Sequence, residues 1–125
     1  LAWKFYQAQR AGDIPPGYPI PWITTSLTAD PIQPGWYDAG DTLKLNFPLS
    51  GSVSFLAWGL VDFRNAYSST GQLNTARDTL RPAVDYLLNS YTAPYTYTGQ
   101  IGEADIDHQF WGRPSQYPIN TLPRQ

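Results

Sequence analysis

Two short stretches hold most of the side chains able to do chemistry. The first reads Gly35-Trp36-Tyr37-Asp38-Ala39-Gly40-Asp41. Its two carboxylates flank an Ala-Gly pair, and Gly40 permits a tight turn between them. Both can then face one small volume and hold a water there, one taking its proton while the other orients it. A bare D-x-x-D is also a common turn or capping feature, or half of a calcium loop, so the spacing alone leaves those readings open. The second stretch runs Gly102-Glu103-Ala104-Asp105-Ile106-Asp107-His108-Gln109-Phe110-Trp111-Gly112-Arg113-Pro114. It contains the chain's one His and one Glu, with two Asp, a Trp and an Arg. One His without any Cys gives too few ligands for zinc, whereas an oxygen-ligand calcium site stays open. A lone His is commonly a hydrogen-bonded structural group. Beside a Trp in an acidic cleft it also suits a sugar, the indole stacking on a ring face and the imidazole bonding a hydroxyl.

The intervening segments must bring these stretches together. Leu1 to Ala11 predicts a short helix with Leu1, Phe5 and Ala8 on one face, stopped by Gly12. Asp13 to Pro34 is a loop with six prolines, long enough to suspect a functional role. Pro48 to about Tyr67 is the strongest helix. Its run VSFLAWGLV, Val53 to Val61, is apolar on all sides and predicts burial on all sides. Ser68 to Gly71 is a turn. Gln72 to Tyr91 is a one-sided helix, with Leu73, Ala76, Leu80, Val84, Leu87 and Tyr91 on the apolar face. Pro82 lies inside it, so the helix either bends there or starts afresh near Arg81. Residues 92–100 form a Tyr/Thr-rich loop with a short extended segment as the alternative. A buried helix joined by a short turn to a half-wet one is what a double ring of helices requires. The second helix returns to the rim from which the first began. The two chemical stretches should therefore line one cleft.

Composition removes several classes of function. Eight Lys and Arg against ten Asp and Glu leave a net charge of -2, without the basic face nucleic acid requires. There is neither an apolar run long enough to span a membrane nor a basic amphipathic stretch to lie on one. Cysteine is absent, which excludes disulfides and thiol chemistry. Nine Tyr, five Trp and five Phe with only 14% charged residues suit a large core or a surface that grips flat ligands such as sugar rings. The chain begins with Leu and closes on a stretch without periodicity, and so reads as an interior piece of a longer protein.

Four segments together resemble glycoside hydrolase family 9. Gly35–Asp41 with Thr42-Leu43-Lys44-Leu45-Asn46-Phe47-Pro48 is similar to its GGWYDAGDxVKFxxP signature. Ala57-Trp58-Gly59 is similar to the LAWG of the following helix, and Phe5 to Gly12 to the opening FYxAQRSG. Asp107 to Pro114 is similar to DHxxWGRPE, and all four segments come in family order. There are departures. Pro34, Leu45 and Ser115 replace the family's Gly, Phe and Glu, and Trp22 to Ser26 lacks the Arg and Asp of the usual WRGDS. Pro82 takes a helix-compatible residue's place, and Thr42 that of an aromatic residue or His facing the cleft.

The resemblance implies an all-α fold, the N-terminal portion of an (α/α)6 barrel with long Pro/Gly/aromatic-rich loops. Residues 1–125 would then be the N-terminal part of a catalytic domain that hydrolyses β-1,4-glucan with inversion. It implies Asp41 as general base and Asp38 as its partner in holding the water. His108, Trp111 and Arg113, with Trp36 and Tyr37, fall at motif positions expected to bind substrate. The family's general acid is a Glu near the end of the domain, with no counterpart here, so the 125-residue chain alone is expected to be inactive. No cofactor or metal is expected in this segment, although calcium would suit the full-length domain. The resemblance also implies a secreted, monomeric enzyme acting on a polysaccharide or oligosaccharide, without nucleic acid or membrane partners. The competing reading is a non-catalytic carbohydrate-binding module, which would use the same aromatics but not the paired Asp. A purely helical interaction domain would need neither.

Overall fold

The computed structural model describes residues 2–125. Leu1, expected on the first helix's apolar face, lies outside them. Helices carry the fold: α1 (Ala2–Ala8), α2 (Asn46–Asp62), α3 (Arg64–Ser69), α4 (Leu73–Asn89) and the short α5 (Ala104–Asp107). Four very short strands make two ribbons, β1 (Lys44–Leu45) with β4 (Gln100–Ile101), and β2 (Tyr91–Ala93) with β3 (Thr96–Tyr97).

After α1 the chain turns at Gly12, whose φ of +83° suits a residue without a Cβ. Gly35 and Trp36 run alongside the segment just before that turn. Ala11 N donates to Gly35 O at 3.0 Å, and Tyr37 N to Gln9 O at 2.8 Å. The core gathers Ile32, Trp36, Leu49, Val53, Leu80, Ala83, Tyr86 and Ile101 between α2, α4 and the loops.

Two expectations for the first long helix are corrected. The predicted helix 48–67 starts earlier, at Asn46, and breaks at Phe63 into α2 and α3. It is not buried all round. Only Asn46, Leu49 and Val53 of α2 are buried, while Phe47 is 92%, Phe55 76% and Trp58 65% exposed. α2 packs along α4 by one flank, and residues 2–125 supply nothing to cover the others. Around Pro82 the helix does not start afresh, the second of the two outcomes expected there: α4 runs unbroken from Leu73 to Asn89, with Pro82 buried inside. The lost hydrogen bond of an interior proline is tolerated where the surrounding face is packed. After α4, the extended segment offered as the alternative is what forms: residues 91–97 fold as a hairpin, with Tyr95 in the left-handed region at φ 62°.

β1 and β4 pair antiparallel, Lys44 opposite Ile101 and Leu45 opposite Gln100. The first strand leaves the Asp38–Asp41 stretch and the second enters the Glu103–Pro114 stretch. This two-residue ribbon sets the register of one chemical stretch against the other.

Candidate active site

A closed turn presents the paired carboxylates. Asp38 N donates to Leu43 O at 2.8 Å, and Asp41 Oδ1 accepts a longer bond from Leu43 N at 3.3 Å. The second stretch meets this turn through the end of α5. His108, the C-cap residue, places Nε2 at hydrogen-bond distance, 2.8 Å, from Asp41 Oδ2, 67 positions away in sequence. Trp111 stands next to His108, ring centroids 6.0 Å apart and planes within 20°. Its indole edge also lies over Gly40, where a Cβ would stand 3.5 Å from Trp111 Cζ3. The site is thus an exposed shelf: carboxylates on one side, an imidazole and a largely uncovered indole on the other.

The pair is electrostatically uneven. Partial burial, reinforced by the neighbouring charge of Asp41, raises the Asp38 carboxyl above the ordinary carboxylate range. Asp41 is the better covered of the two and has one oxygen committed to His108. A carboxylate oxygen has two lone-pair sites, so Asp41 can still accept a proton from a water beside it.

Beneath the shelf lies a buried charge cluster that the sequence reading missed. Thr42 N donates to Asp107 Oδ1 at 2.9 Å, and Thr42 Oγ1 donates to Asp107 Oδ2 at 2.7 Å. Arg124 reaches in from near the chain's end. Its Nη1 bonds Asp107 Oδ2 and, at 3.2 Å, Thr42 Oγ1, while Nη2 donates to Thr42 O at 2.7 Å. The same guanidinium grips Asp30 through Nε at 2.7 Å and Nη2 at 3.2 Å. Lys44 Nζ completes the cluster, 2.9 Å from Asp30 Oδ2, and donates to the Ile32 and Pro34 carbonyls at 3.1 and 2.9 Å. Lys44, Asp30, Arg124 and Asp107 side chains are all essentially inaccessible. Burial pulls the Lys44 ammonium below its ordinary range, against the opposing pull of Asp30. Asp107 lay inside a quoted motif, but neither Asp30 nor Arg124 carries any periodic signal that would mark it as internal.

The structure divides the expected site residues. Asp38, Asp41, His108 and Trp111 come together. Trp36 and Tyr37 do not join them: they are 3% and 4% exposed, and the expectation that they grip sugar is corrected. The Trp36 ring packs on Tyr6 in the core, and the Tyr37 hydroxyl shares a 2.8 Å hydrogen bond with Ser26. Alternation along the short bridge to Arg10 and the closure of the turn leave no free face for them. Arg113 is exposed but lies along the Trp22–Ser26 segment, beside Arg10. Thr42 faces inward, 2% exposed, instead of into the cleft. A cavity of about 570 Å³ lies elsewhere, between α1, the Pro15–Pro19 loop and α4. Among the described residues no group of three or more His, Cys, Asp or Glu gathers to hold a metal ion.

The chain is similar to known proteins in sequence and fold. The model of glycosyl hydrolase family 9 matches residues 1–125. Endoglucanase B of Cellulomonas fimi is 40% identical over 114 residues, 86% of this chain and 11% of that protein. Endoglucanase 3 of Oryza sativa subsp. japonica is 39% identical over 116 residues, 88% of this chain and 23% of that protein. An endoglucanase structure from the termite Nasutitermes takasagoensis superposes with a TM-score of 0.86 at 38% identity, covering 91% of this chain and 28% of the other. Endoglucanase CelQ from Clostridium thermocellum, complexed with cellotetraose, gives 0.89 at 31% identity, covering 99% and 20%. The chain thus spans between 11% and 23% of the length of these two curated relatives.

Proposed function

The chain belongs to glycosyl hydrolase family 9, and from that membership we propose that it is the N-terminal part of an inverting endo-β-1,4-glucanase domain built as an (α/α)6 barrel. Its relatives are named endoglucanases, and the CelQ structure holds a cello-oligosaccharide. The substrate proposed for the whole protein is therefore a β-1,4-glucan polymer or oligosaccharide. In this reading Asp41 is the general base. It takes a proton from a water as that water attacks the anomeric carbon from the face opposite the leaving group. Asp38 orients the same water. His108 occupies Oδ2 of Asp41, and Oδ1, which accepts only the longer 3.3 Å bond from Leu43 N, keeps a lone pair for the water. Trp111 offers its exposed ring face to a sugar. Protonation of the leaving oxygen falls to a carboxylic acid across the bond, which in an inverting enzyme stands roughly 6.5–9.5 Å from the base. That acid is contributed by another part of the domain. The whole protein is proposed to act outside the cell as a monomer, without a cofactor in this segment.

The observation that carries the reading is the 2.8 Å contact between Asp41 and His108, beneath an indole lying over the Asp38–Asp41 turn. The test is Asp41→Asn in the complete enzyme. Asparagine keeps the shape and removes the basicity, so kcat should fall about 10²–10⁴-fold while oligosaccharide affinity stays near that of the parent. Near-parental kcat would remove Asp41 from the base role.

A further inference from the structure

The buried cluster meets the shelf at two residues, each adjacent to a member of the exposed pair. Thr42 follows Asp41, and Asp107 precedes His108. Every polar atom of Thr42 is engaged. Its N–H and hydroxyl both donate to the Asp107 carboxylate, its carbonyl accepts from Arg124 Nη2, and its hydroxyl oxygen accepts from Arg124 Nη1. Two parallel bonds from one residue to one carboxylate fix both distance and rotation. The guanidinium then locks the far side. The backbone of residue 42 consequently has a single place relative to the end of α5.

Charge makes the arrangement stable where it stands. Two cations, Lys44 and Arg124, meet two anions, Asp30 and Asp107, without solvent. Asp107 is directly neutralised by Arg124, so its carboxylate adds little repulsion to Asp38 and Asp41 above it. A simple apolar contact would also hold the loops together, but it would leave their relative rotation free. A proton acceptor needs its lone pair aimed, because a displacement of about 1 Å can cost on the order of 10²-fold in rate.

We propose that Thr42, Asp107 and Arg124 are positioning residues for Asp41, forming a clamp that sets the Asp38–Asp41 turn against the end of α5. The proposal rests on the reading of Asp41 as the base. It gives Thr42, which stands where the family usually places a residue facing the cleft, an inward role. The hydroxyl is the part of the clamp that a near-isosteric change can remove. Val replaces Thr with almost the same volume, and Ser keeps the hydroxyl.

In the complete enzyme, Thr42→Val should lower kcat about 10-fold or more, with KM for a cello-oligosaccharide within about twofold. Thr42→Ser should return kcat to within about twofold of the parent. The control for a general loss of buried hydrogen bonding is Thr79→Val, far from the shelf, where the hydroxyl accepts from Gln7 Nε2 at 3.1 Å. It removes a comparable buried contact and should leave kcat within about twofold. Asp107→Asn keeps the shape and removes the charge, and should behave as Thr42→Val does. A crystal structure of Thr42→Val provides a readout independent of activity. The Asp41 Oδ2–His108 Nε2 separation, 2.8 Å here, should widen beyond about 3.2 Å. If that separation is unchanged, or if Thr42→Ser is as slow as Thr42→Val, the clamp is overturned. Should Asp41→Asn keep parental kcat, it is the base reading that fails, and the separation still judges the clamp.

Discussion

Replacing Lys44 by Met tests the buried charge cluster at a fully inaccessible member. The ammonium has no solvent contact and donates to three oxygens, those of Asp30, Ile32 and Pro34. A hydrogen bond involving a charged group contributes about 1.5–3 kcal/mol, so three of them set a ceiling of about 5–9 kcal/mol. Two effects bring the loss below it. Burial already works against the Lys44 charge, as its lowered pKa indicates, and that cost disappears with the ammonium. Asp30 also keeps both bonds from Arg124, so it is not left as a lone buried charge. Met preserves most of the aliphatic stem. The expected loss is about 3 kcal/mol, at the low end for breaking a buried pair. With a urea dependence of about 1–3 kcal/mol per molar, the unfolding midpoint should fall by about 1–3 M, followed by tryptophan fluorescence. A midpoint within about 0.3 M of the parent at unchanged slope would refute the reasoning and leave the cluster energetically neutral.

Three further outcomes are expected. Trp111→Ala should weaken cello-oligosaccharide binding by ~1 kcal/mol or more, read by calorimetry in an Asp41→Asn background, without moving the melting temperature of so exposed a residue; unchanged affinity would return the indole to a structural role. Asp38 has a raised pKa in the fold, so the folded chain holds that proton more tightly than the unfolded one, and ionisation costs stability as pH rises through the ordinary carboxylate range to the raised value. Asp38→Asn should accordingly melt higher than the parent above that window and equally below it, while kcat falls; a melting difference independent of pH would contradict this. The 125-residue chain alone should release no reducing ends from carboxymethyl cellulose, because a base without a leaving-group acid completes only half of the reaction. Turnover abolished by Asp41→Asn would instead point to Glu103, exposed at the start of α5, as an internal acid.

Much of the site was legible because its chemistry sits in compact strings. Asp38, Asp41, His108 and Trp111 are polar or amphipathic residues in loops, and the reversal of the chain through α2 and α4 was enough to bring the loops together. Trp36 and Tyr37 misled because aromatic rings suit a core and a sugar equally well, and only the pairing with the segment after α1 decides between them. The burial of α2 was overread for a related reason. An apolar surface all round says what a helix would cover, not which neighbours are present. The charge cluster was the least legible part. Hydrophobic periodicity cannot report a buried Asp or Arg, and Arg124 lies in a stretch without any period at all. Lys44 was visible inside a motif, but nothing in its sequence neighbours distinguishes a buried lysine from a solvated one.

The span of the cluster has a consequence for the order in which the chain can mature. Asp30 and Arg124 are 94 positions apart, so their pairing closes a loop that includes nearly every helix. During synthesis from the amino end, Asp30, the paired carboxylates, α2 and α4 are all made before Arg124 exists, and so is Asp107. Until then Asp30 has only Lys44, and Asp107 has only Thr42. Long closures are entropically slow, and this one completes the charge balance under the shelf. Within this segment the helices and their core can therefore assemble before the Asp38–Asp41 turn takes its final place. A nascent chain stalled before Arg124 should hold its helices but leave Asp41 and His108 out of register.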